Sequence, residues 1–91
     1  MSVQVEIPSP LRAHAGGQAR VDVKAESVDA LIEALGAMHP GLKERLLEPS
    51  GELRRYVRLF VNEEDIRFLQ ERKTRLAPGD TVTIVPAIAG G

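Results

Sequence analysis

The sequence predicts an α+β domain in which a mixed sheet of four or five strands wraps one main helix. Residues near both ends alternate between polar and apolar, which is typical of strands with one buried face. Between them, residues 28–38 carry apolar side chains three or four positions apart, as expected for a helix with one buried face. Proline and glycine residues separate these stretches and indicate turns. The chain has 91 residues, of which 43% are hydrophobic, so we expect one small core.

Two strands open the chain. Residues 2–7 alternate until Pro8 and Pro10 interrupt the pattern, and residues 20–24 alternate again. Glycines 16 and 17 supply a turn between these stretches, so we expect the two strands to form a hairpin. Their buried side chains are predicted to be Val3, Val5, Ile7, Val21 and Val23.

One amphipathic helix follows at residues 28–38. Ser27 is the candidate N-cap, and Asp29 lies in the first turn, where a carboxylate stabilises the helix dipole. Residues 39–41 end this helix, and residues 42–47 can form one or two further helical turns. The buried face is predicted to comprise Val28, Leu31, Ile32, Leu35 and Met38, with Leu46 and Leu47 covering the core.

The C-terminal half carries the strongest strand pattern, at residues 55–62, which are rich in β-branched and aromatic side chains. Residues 62–65 are interpreted as a solvent-exposed turn, and residues 70–75 as a charged loop. Pro78 followed by Gly79 predicts a type II turn, because glycine allows a positive φ at the third position. The last strand follows at residues 81–85. Val57, Leu59 and Val61 are predicted to face the core.

This element order, two strands, a helix and then two or three strands, fits the β-grasp fold. In that fold the first and last strands lie side by side and parallel in the middle of the sheet. The last strand is therefore held centrally, and the residues after Pro86 are predicted to project from the domain. We divide the chain accordingly into a β-grasp domain at residues 1–86 and a flexible C-terminal tail at residues 87–91.

The predicted tail has little bulk. Gly90 and Gly91 lack a Cβ atom, and Ala87 and Ala89 are small, so the segment fits a narrow channel. Ile88 is a candidate for an apolar contact with a partner. The α-carboxylate of Gly91 is the candidate reactive group, and the four residues before it are the candidate threading segment. A frayed end without function is the alternative interpretation.

A second candidate contact surface is the sheet face away from the helix. Alternation along the strands places Tyr56, Arg58, Phe60, Thr83 and Val85 on it. Aromatic and arginine side chains are common anchors of protein interfaces, so we expect a docking surface. A face covered by local loops is the alternative. Two basic spots, formed by Arg54, Arg55, Arg72, Lys73 and Arg75, suit either an acidic partner or plain solvation.

Composition excludes several other functions. The net charge of -1 gives no field to attract nucleic acid or an anionic membrane, so neither is an expected partner. No cysteine is present, and His14 and His39 stand alone, so no metal site or bound cofactor is expected. Residues 63–65 are acidic but lack the spacing of a calcium loop. No apolar stretch is long enough to span a bilayer, and no signal pattern precedes the domain, so we expect a cytoplasmic protein.

Three segments carry a family resemblance. The chain resembles the ubiquitin-like sulfur carriers of the ThiS/MoaD family at residues 61–67, at Thr74, Leu76 and residues 79–82, and at its final six residues. The Pro-Leu-Arg-x-His sequence at residues 10–14 and the Leu-x-x-Pro-Ser sequence at residues 46–50 most resemble the CysO-type carriers of cysteine biosynthesis. The resemblance covers most of the chain and is sharpest in its C-terminal third.

The resemblance implies a cycle centred on Gly91. A ubiquitin-activating-type adenylyltransferase, like MoeB, ThiF or MoeZ, would use ATP to adenylate its carboxylate, and a sulfurtransferase or other sulfur donor would convert it to a thiocarboxylate. A sulfur-accepting synthase, such as a pyridoxal-phosphate cysteine synthase, would then take the sulfur. The chain would be a protein cosubstrate rather than an enzyme. The alternatives are the small subunit of molybdopterin synthase and a ubiquitin-like modifier or binding module.

Overall fold

A five-stranded mixed sheet forms the centre of the molecule, in the strand order β2-β1-β5-β3-β4. The computed structural model describes residues 2–86. The strands are β1 (Val3–Glu6), β2 (Arg20–Val23), β3 (Val57–Val61), β4 (Glu64–Asp65) and β5 (Thr81–Pro86), and the helices are α1 (Val28–Met38) and α2 (Pro40–Leu46). Short 3₁₀ segments lie at Ser9–Ala15, Ile66–Phe68 and Glu71–Lys73.

The first and last strands lie side by side in the middle of the sheet. Val5 of β1 pairs in antiparallel register with Val21 of β2 and in parallel register with Val82 of β5. On its other side, β5 pairs with β3 in antiparallel register. This arrangement confirms the β-grasp prediction, including the opening hairpin, although a 3₁₀ segment occupies much of the hairpin connection.

The core lies between the sheet and α1. Alternating side chains of β1, β2, β3 and β5 meet the apolar face of α1, as the two periodicities predict. Ser27 caps the helix, because its Oγ accepts a hydrogen bond from the backbone N–H of Ala30 at 3.1 Å. The fully buried large side chains are Ile7, Leu31, Ile32, Leu35, Leu42, Leu46, Leu59, Val3, Val5, Val28 and Val82.

The end of α1 departs from the predicted pattern of buried residues, because the chain turns there into a second helix. Met38 was predicted to be buried, and this was wrong: its side chain is 48% exposed. The chain turns at His39 into α2, which packs on α1 through Leu42 and Leu46 and so covers the core at this end. Gly36 allows this close packing, because a Cβ atom there would collide with the side chain of Lys43.

A tight hairpin replaces the exposed turn predicted at residues 62–65. Asn62 and Glu63 adopt positive φ angles of 50° and 79°, so two residues connect β3 to β4, as in type I′ hairpins. Asp65 then pairs with Phe60 in the sheet and is only 7% exposed. The prediction of a solvated carboxylate was therefore wrong for Asp65, whose side chain forms ionic contacts described below.

Candidate functional site

Strand β5 carries the chain to Pro86, the last residue that the structure describes. Val82 and Ile84 are buried in the core, and the strand is paired with β1 as far as Thr83 and with β3 as far as Pro86. Pro86 lies opposite Val57, the first residue of β3. The predicted reactive residue Gly91 and the threading residues Gly90, Ala89, Ile88 and Ala87 lie outside the described residues.

The start of β5 is fixed by a small hydrogen-bond network. The Asn62 side chain donates from Nδ2 to Asp80 Oδ1 at 2.9 Å and accepts from the N–H of Thr81 at 3.0 Å. Asp80 also accepts from the N–H of Ala77 at 2.8 Å, while Gly79 has the positive φ of 90° that the predicted turn requires. These contacts tie the β3–β4 hairpin to β5 and fix the direction of the last strand.

Four of the five predicted docking residues lie together on the sheet face opposite α1. Phe60 is directly opposite Thr83, and Arg58 is directly opposite Val85, in the antiparallel pairing of β3 and β5. Side chains in such cross-strand pairs touch, with Cβ atoms about 5 Å apart. Val85 is 40% exposed, and the other three are partly exposed. The structure therefore forms an open surface of mixed apolar and cationic character beside the end of β5.

Tyr56 is the exception among the predicted docking residues. It lies in a turn before β3, because the N–H of Val57 bonds to the carbonyl of Arg54 at 3.0 Å and delays the strand. Its side chain is 44% exposed and lines a polar groove with His14 and Gly41. Strand alternation therefore does not determine its direction, and the sequence-based placement on a strand was wrong.

Asp65 organises the cationic part of the surface. Its Oδ1 accepts from the N–H of Arg67 at 2.9 Å, and its Oδ2 lies 3.2 Å from Arg67 Nε and 3.9 Å from Arg58 Nη1. A buried carboxylate between two guanidinium groups restrains both of them. The sequence signal for this role was the Asn62-Glu63 pair. If these two residues form the turn of a hairpin, Asp65 must lie opposite Phe60.

The opposite side of β5 is polar. Glu6 of β1 accepts a hydrogen bond from the Thr83 hydroxyl at 3.3 Å, and the Glu6 carboxylate lies 3.5 Å from Arg20 Nη2. Both carboxyl and guanidinium groups are well exposed, so this pair adds little stability. The pair does place charged groups beside Thr83. The apolar part of the docking surface is therefore limited to the side of β5 that pairs with β3.

Metal-ligand clusters and membrane-spanning helices are two features that residues 2–86 do not show. Within residues 2–86, no three histidine, aspartate or glutamate side chains are grouped so as to hold a metal ion. In the same span, no helix is long and apolar enough to cross a membrane. The features that remain as candidates are the surface beside β5 and the residues that follow it.

A sequence model of the ThiS family matches residues 5–91, which is nearly the whole chain. The chain belongs to the ThiS family. The match continues from the β-grasp domain through Gly90 and Gly91, and so includes the residues after β5 as well as the folded part.

Individual ThiS-family relatives agree with this assignment. The sulfur carrier protein CysO of Mycobacterium tuberculosis strain H37Rv is 47% identical over 93 residues, with all of both chains covered. Its crystal structure matches with a TM-score of 0.87 over 94% of this chain and 99% of that one. A chain in the Amycolatopsis orientalis BexX/CysO complex matches with a TM-score of 0.89 at 40% identity, covering 98% and 99%.

A relative with a different name shares the same fold. The small archaeal modifier protein SAMP1 from Haloferax volcanii matches with a TM-score of 0.86 at 26% identity, with all of both chains covered. The β-grasp assignment and the resemblance to ubiquitin-like carriers, including CysO, are thus confirmed.

Proposed function

We propose that this chain is a sulfur carrier and that its C-terminal carboxylate, on Gly91, is the group that carries the sulfur. The observation that supports this most strongly is the full-length 47% identity to the sulfur carrier protein CysO. The ThiS family match extends to Gly91, so the proposed site is part of the shared sequence. As a carrier, the chain is a protein cosubstrate rather than a catalyst.

The chemistry needs activation because a carboxylate is a poor electrophile. An adenylyltransferase of the ubiquitin-activating type joins the Gly91 carboxylate to the α-phosphate of ATP and releases pyrophosphate. Hydrosulfide supplied by the sulfur donor then attacks the acyl carbon, AMP leaves with the bonding electron pair, and the proton on the new sulfur is lost to solvent. The product is a thiocarboxylate whose ionised sulfur is nucleophilic, as a cysteine thiolate is. ATP and any other cofactor are bound by the partner enzymes.

The domain contributes position rather than reactive groups. Because β5 is held by β1 and β3, the proposed tail begins at a fixed point on the sheet. Gly90, Ala89, Ile88 and Ala87 provide the narrow segment that enters the partner's active site. We assign Arg58, Phe60, Thr83 and Val85 to the surface on which the activating enzyme docks.

The sulfur acceptor is proposed to be an enzyme that forms cysteine or a related metabolite. The similarity to CysO supports this choice, and a pyridoxal-phosphate synthase would supply the acceptor chemistry. The BexX/CysO complex shows that a CysO chain can form a crystallisable complex with another protein, which supports a docking surface on this fold. A cytoplasmic cycle remains the prediction from the sequence.

Intact mass spectrometry tests the carrier role. After incubation with ATP, an activating enzyme of this type and a sulfur source, the mass of the chain is expected to rise by the difference between one sulfur and one oxygen atom. Omitting ATP is expected to leave the mass unchanged. If the mass does not rise with enzymes that thiolate another carrier in parallel, the carrier role is wrong.

Replacing Phe60 by alanine tests the docking surface. We expect the dissociation constant for the activating enzyme to rise about tenfold, because a partly buried aromatic anchor contributes on the order of 1–2 kcal/mol to an interface. Met38→Ala is the matched control, since Met38 is exposed on the helical side of the domain. Isothermal titration calorimetry gives both constants. Equal dissociation constants of Phe60→Ala and Met38→Ala for the activating enzyme would show that Phe60 is not part of the interface.

A protein modifier is the second candidate function, favoured by the similarity to SAMP1. In that role the activated Gly91 would form an amide bond with a lysine of another protein instead of accepting sulfur. Affinity purification of the tagged chain followed by tryptic mass spectrometry distinguishes the roles. The modifier role would be favoured by lysine residues that bear residues 76–91, the C-terminal tryptic peptide of this chain, with no thiocarboxylate in the free pool.

A further inference from the structure

The outer side of β3 carries a small groove rich in arginine. It encloses about 180 Å³ between the start of β3 and the segment that follows β4. Its apolar floor is formed by Leu53, Val57, Leu59 and Ile66, and its remaining lining residues are Arg54, Arg55, Arg58, Arg67, Asp65 and Glu71. We call this feature the arginine groove.

The arginine groove has an excess of positive charge. Four arginines line it against two acidic residues, Asp65 and Glu71. Asp65 is buried and already engages Arg67 and Arg58, whereas Arg54 donates from Nε and Nη2 to the backbone carbonyl of Glu44 at 3.3 and 3.1 Å. A carbonyl does not neutralise a guanidinium. Arg55 is exposed and forms no ion pair within residues 2–86.

The groove lies next to the point where β5 ends. Val57, in its floor, pairs with Pro86, and Arg58, on its wall, pairs with Val85. Adjacent strands are about 4.8 Å apart, so the groove begins one strand away from the last described residue of β5. A protein that encloses the residues after Pro86 from the β3 side would therefore lie against these arginines.

We propose that the arginine groove binds an acidic segment of the activating enzyme, an inference that rests on the proposed function for that enzyme's role. Guanidinium groups pair with carboxylates through parallel hydrogen bonds. Leu53, the partly exposed apolar residue of the floor, offers an aliphatic side chain of the partner a surface to contact. Such charge pairing speeds association and fixes the orientation of the partner. Asp65 holds two of the four arginines in place before binding.

A short fluorescein-labelled peptide of alternating glutamate and leucine residues provides a test that needs no sulfur chemistry. Fluorescence anisotropy at low salt is expected to show binding that high salt weakens. Arg55→Glu should weaken binding about tenfold, because it reverses one charge within a few ångströms of the peptide carboxylates. Glu71→Gln should strengthen binding two- to threefold by removing an opposing charge. Lys24→Glu, a charge reversal on the far edge of the sheet, should leave affinity unchanged.

Each result decides the proposal. Binding that is weakened by Arg55→Glu, strengthened by Glu71→Gln and unaffected by Lys24→Glu supports it. Three results overturn it. The peptide does not bind, it binds Arg55→Glu as tightly as the native chain, or a peptide with glutamine in place of glutamate binds equally well. Displacement of the peptide by low concentrations of inorganic phosphate would also overturn it, since the groove would then be a site for free anions. Because thiocarboxylate formation is not measured, failure here is separate from failure of the carrier role.

Discussion

Appending one alanine after Gly91 is expected to abolish thiocarboxylate formation while leaving the free energy of unfolding unchanged. The added residue moves the carboxylate one position along the chain and places a Cβ atom beside it. Productive transfer requires the reacting atoms to lie within about 3.5 Å of each other, so a displacement of one residue is enough to stop it. The measurement is intact mass spectrometry after incubation with ATP, the activating enzyme and a sulfur source.

A chain with one alanine added before Met1 is the matched control, because it has the same mass change at the other terminus. It should be thiolated at the native rate. The appended chain and the control should have the same urea unfolding curve, since neither changes the core between the sheet and α1. Thiolation of the C-terminally extended chain would show that the position of Gly91 is not decisive.

Replacing Leu35 by alanine is expected to reduce the free energy of unfolding by about 3 kcal/mol, within the range of 2–5 kcal/mol measured for buried leucines. Leu35 is fully buried on the sheet-facing side of α1, so truncation removes apolar contacts and leaves a cavity. Small domains have total stabilities of roughly 5–15 kcal/mol, so this is a large share. Urea denaturation followed by circular dichroism provides the measurement.

Met38→Ala on the same helix is the control for Leu35→Ala. Met38 is 48% exposed, so its truncation is expected to change the free energy of unfolding by less than about 1 kcal/mol. The two variants share the helix and lose side chains of similar size. Equal destabilisation would mean that Met38 contributes to the core as much as Leu35 does, contrary to its exposure.

The contrast between Leu35 and Met38 shows what sequence periodicity can predict. The spacing of apolar residues identifies which face of α1 is buried, and Leu31, Ile32 and Leu35 are buried as predicted. Periodicity does not indicate how far the opposing surface extends. At Met38 the chain has already turned toward α2, whose Leu42 and Leu46 fill the core instead.

The alternation of side chains along the strands predicted the candidate docking surface only in part. Alternation correctly placed Arg58, Phe60, Thr83 and Val85 on one face, because it depends only on the local period of two. It failed at Tyr56, because a local backbone hydrogen bond from Val57 to Arg54 starts the strand later. Such a turn has no strong signature in the sequence.

The arginine groove could not be predicted from local sequence patterns, for a different reason. Arg54, Arg55 and Arg58 are close in the chain, but Arg67 joins them only through the β3–β4 hairpin. The sequence predicts Asp65 to be a solvated turn residue, whereas the β3–β4 register places it beside Phe60. Long-range pairing, rather than composition, brings these charges together. The importance of Gly91, by contrast, was predicted from the last residues together with the strand pattern before them and the family resemblance, and it remains a prediction.

The position of β5 also determines how the domain responds to a pulling force. When a partner draws the chain outward beyond Pro86, the tension acts along the axis of β5, across its hydrogen bonds with β3 and, deeper in the sheet, with β1. All of these hydrogen bonds resist the pull at the same time, as a shear load. A strand that is peeled from the edge of a sheet, by contrast, loses its hydrogen bonds one at a time. The domain is therefore expected to resist unravelling under a force applied beyond Pro86.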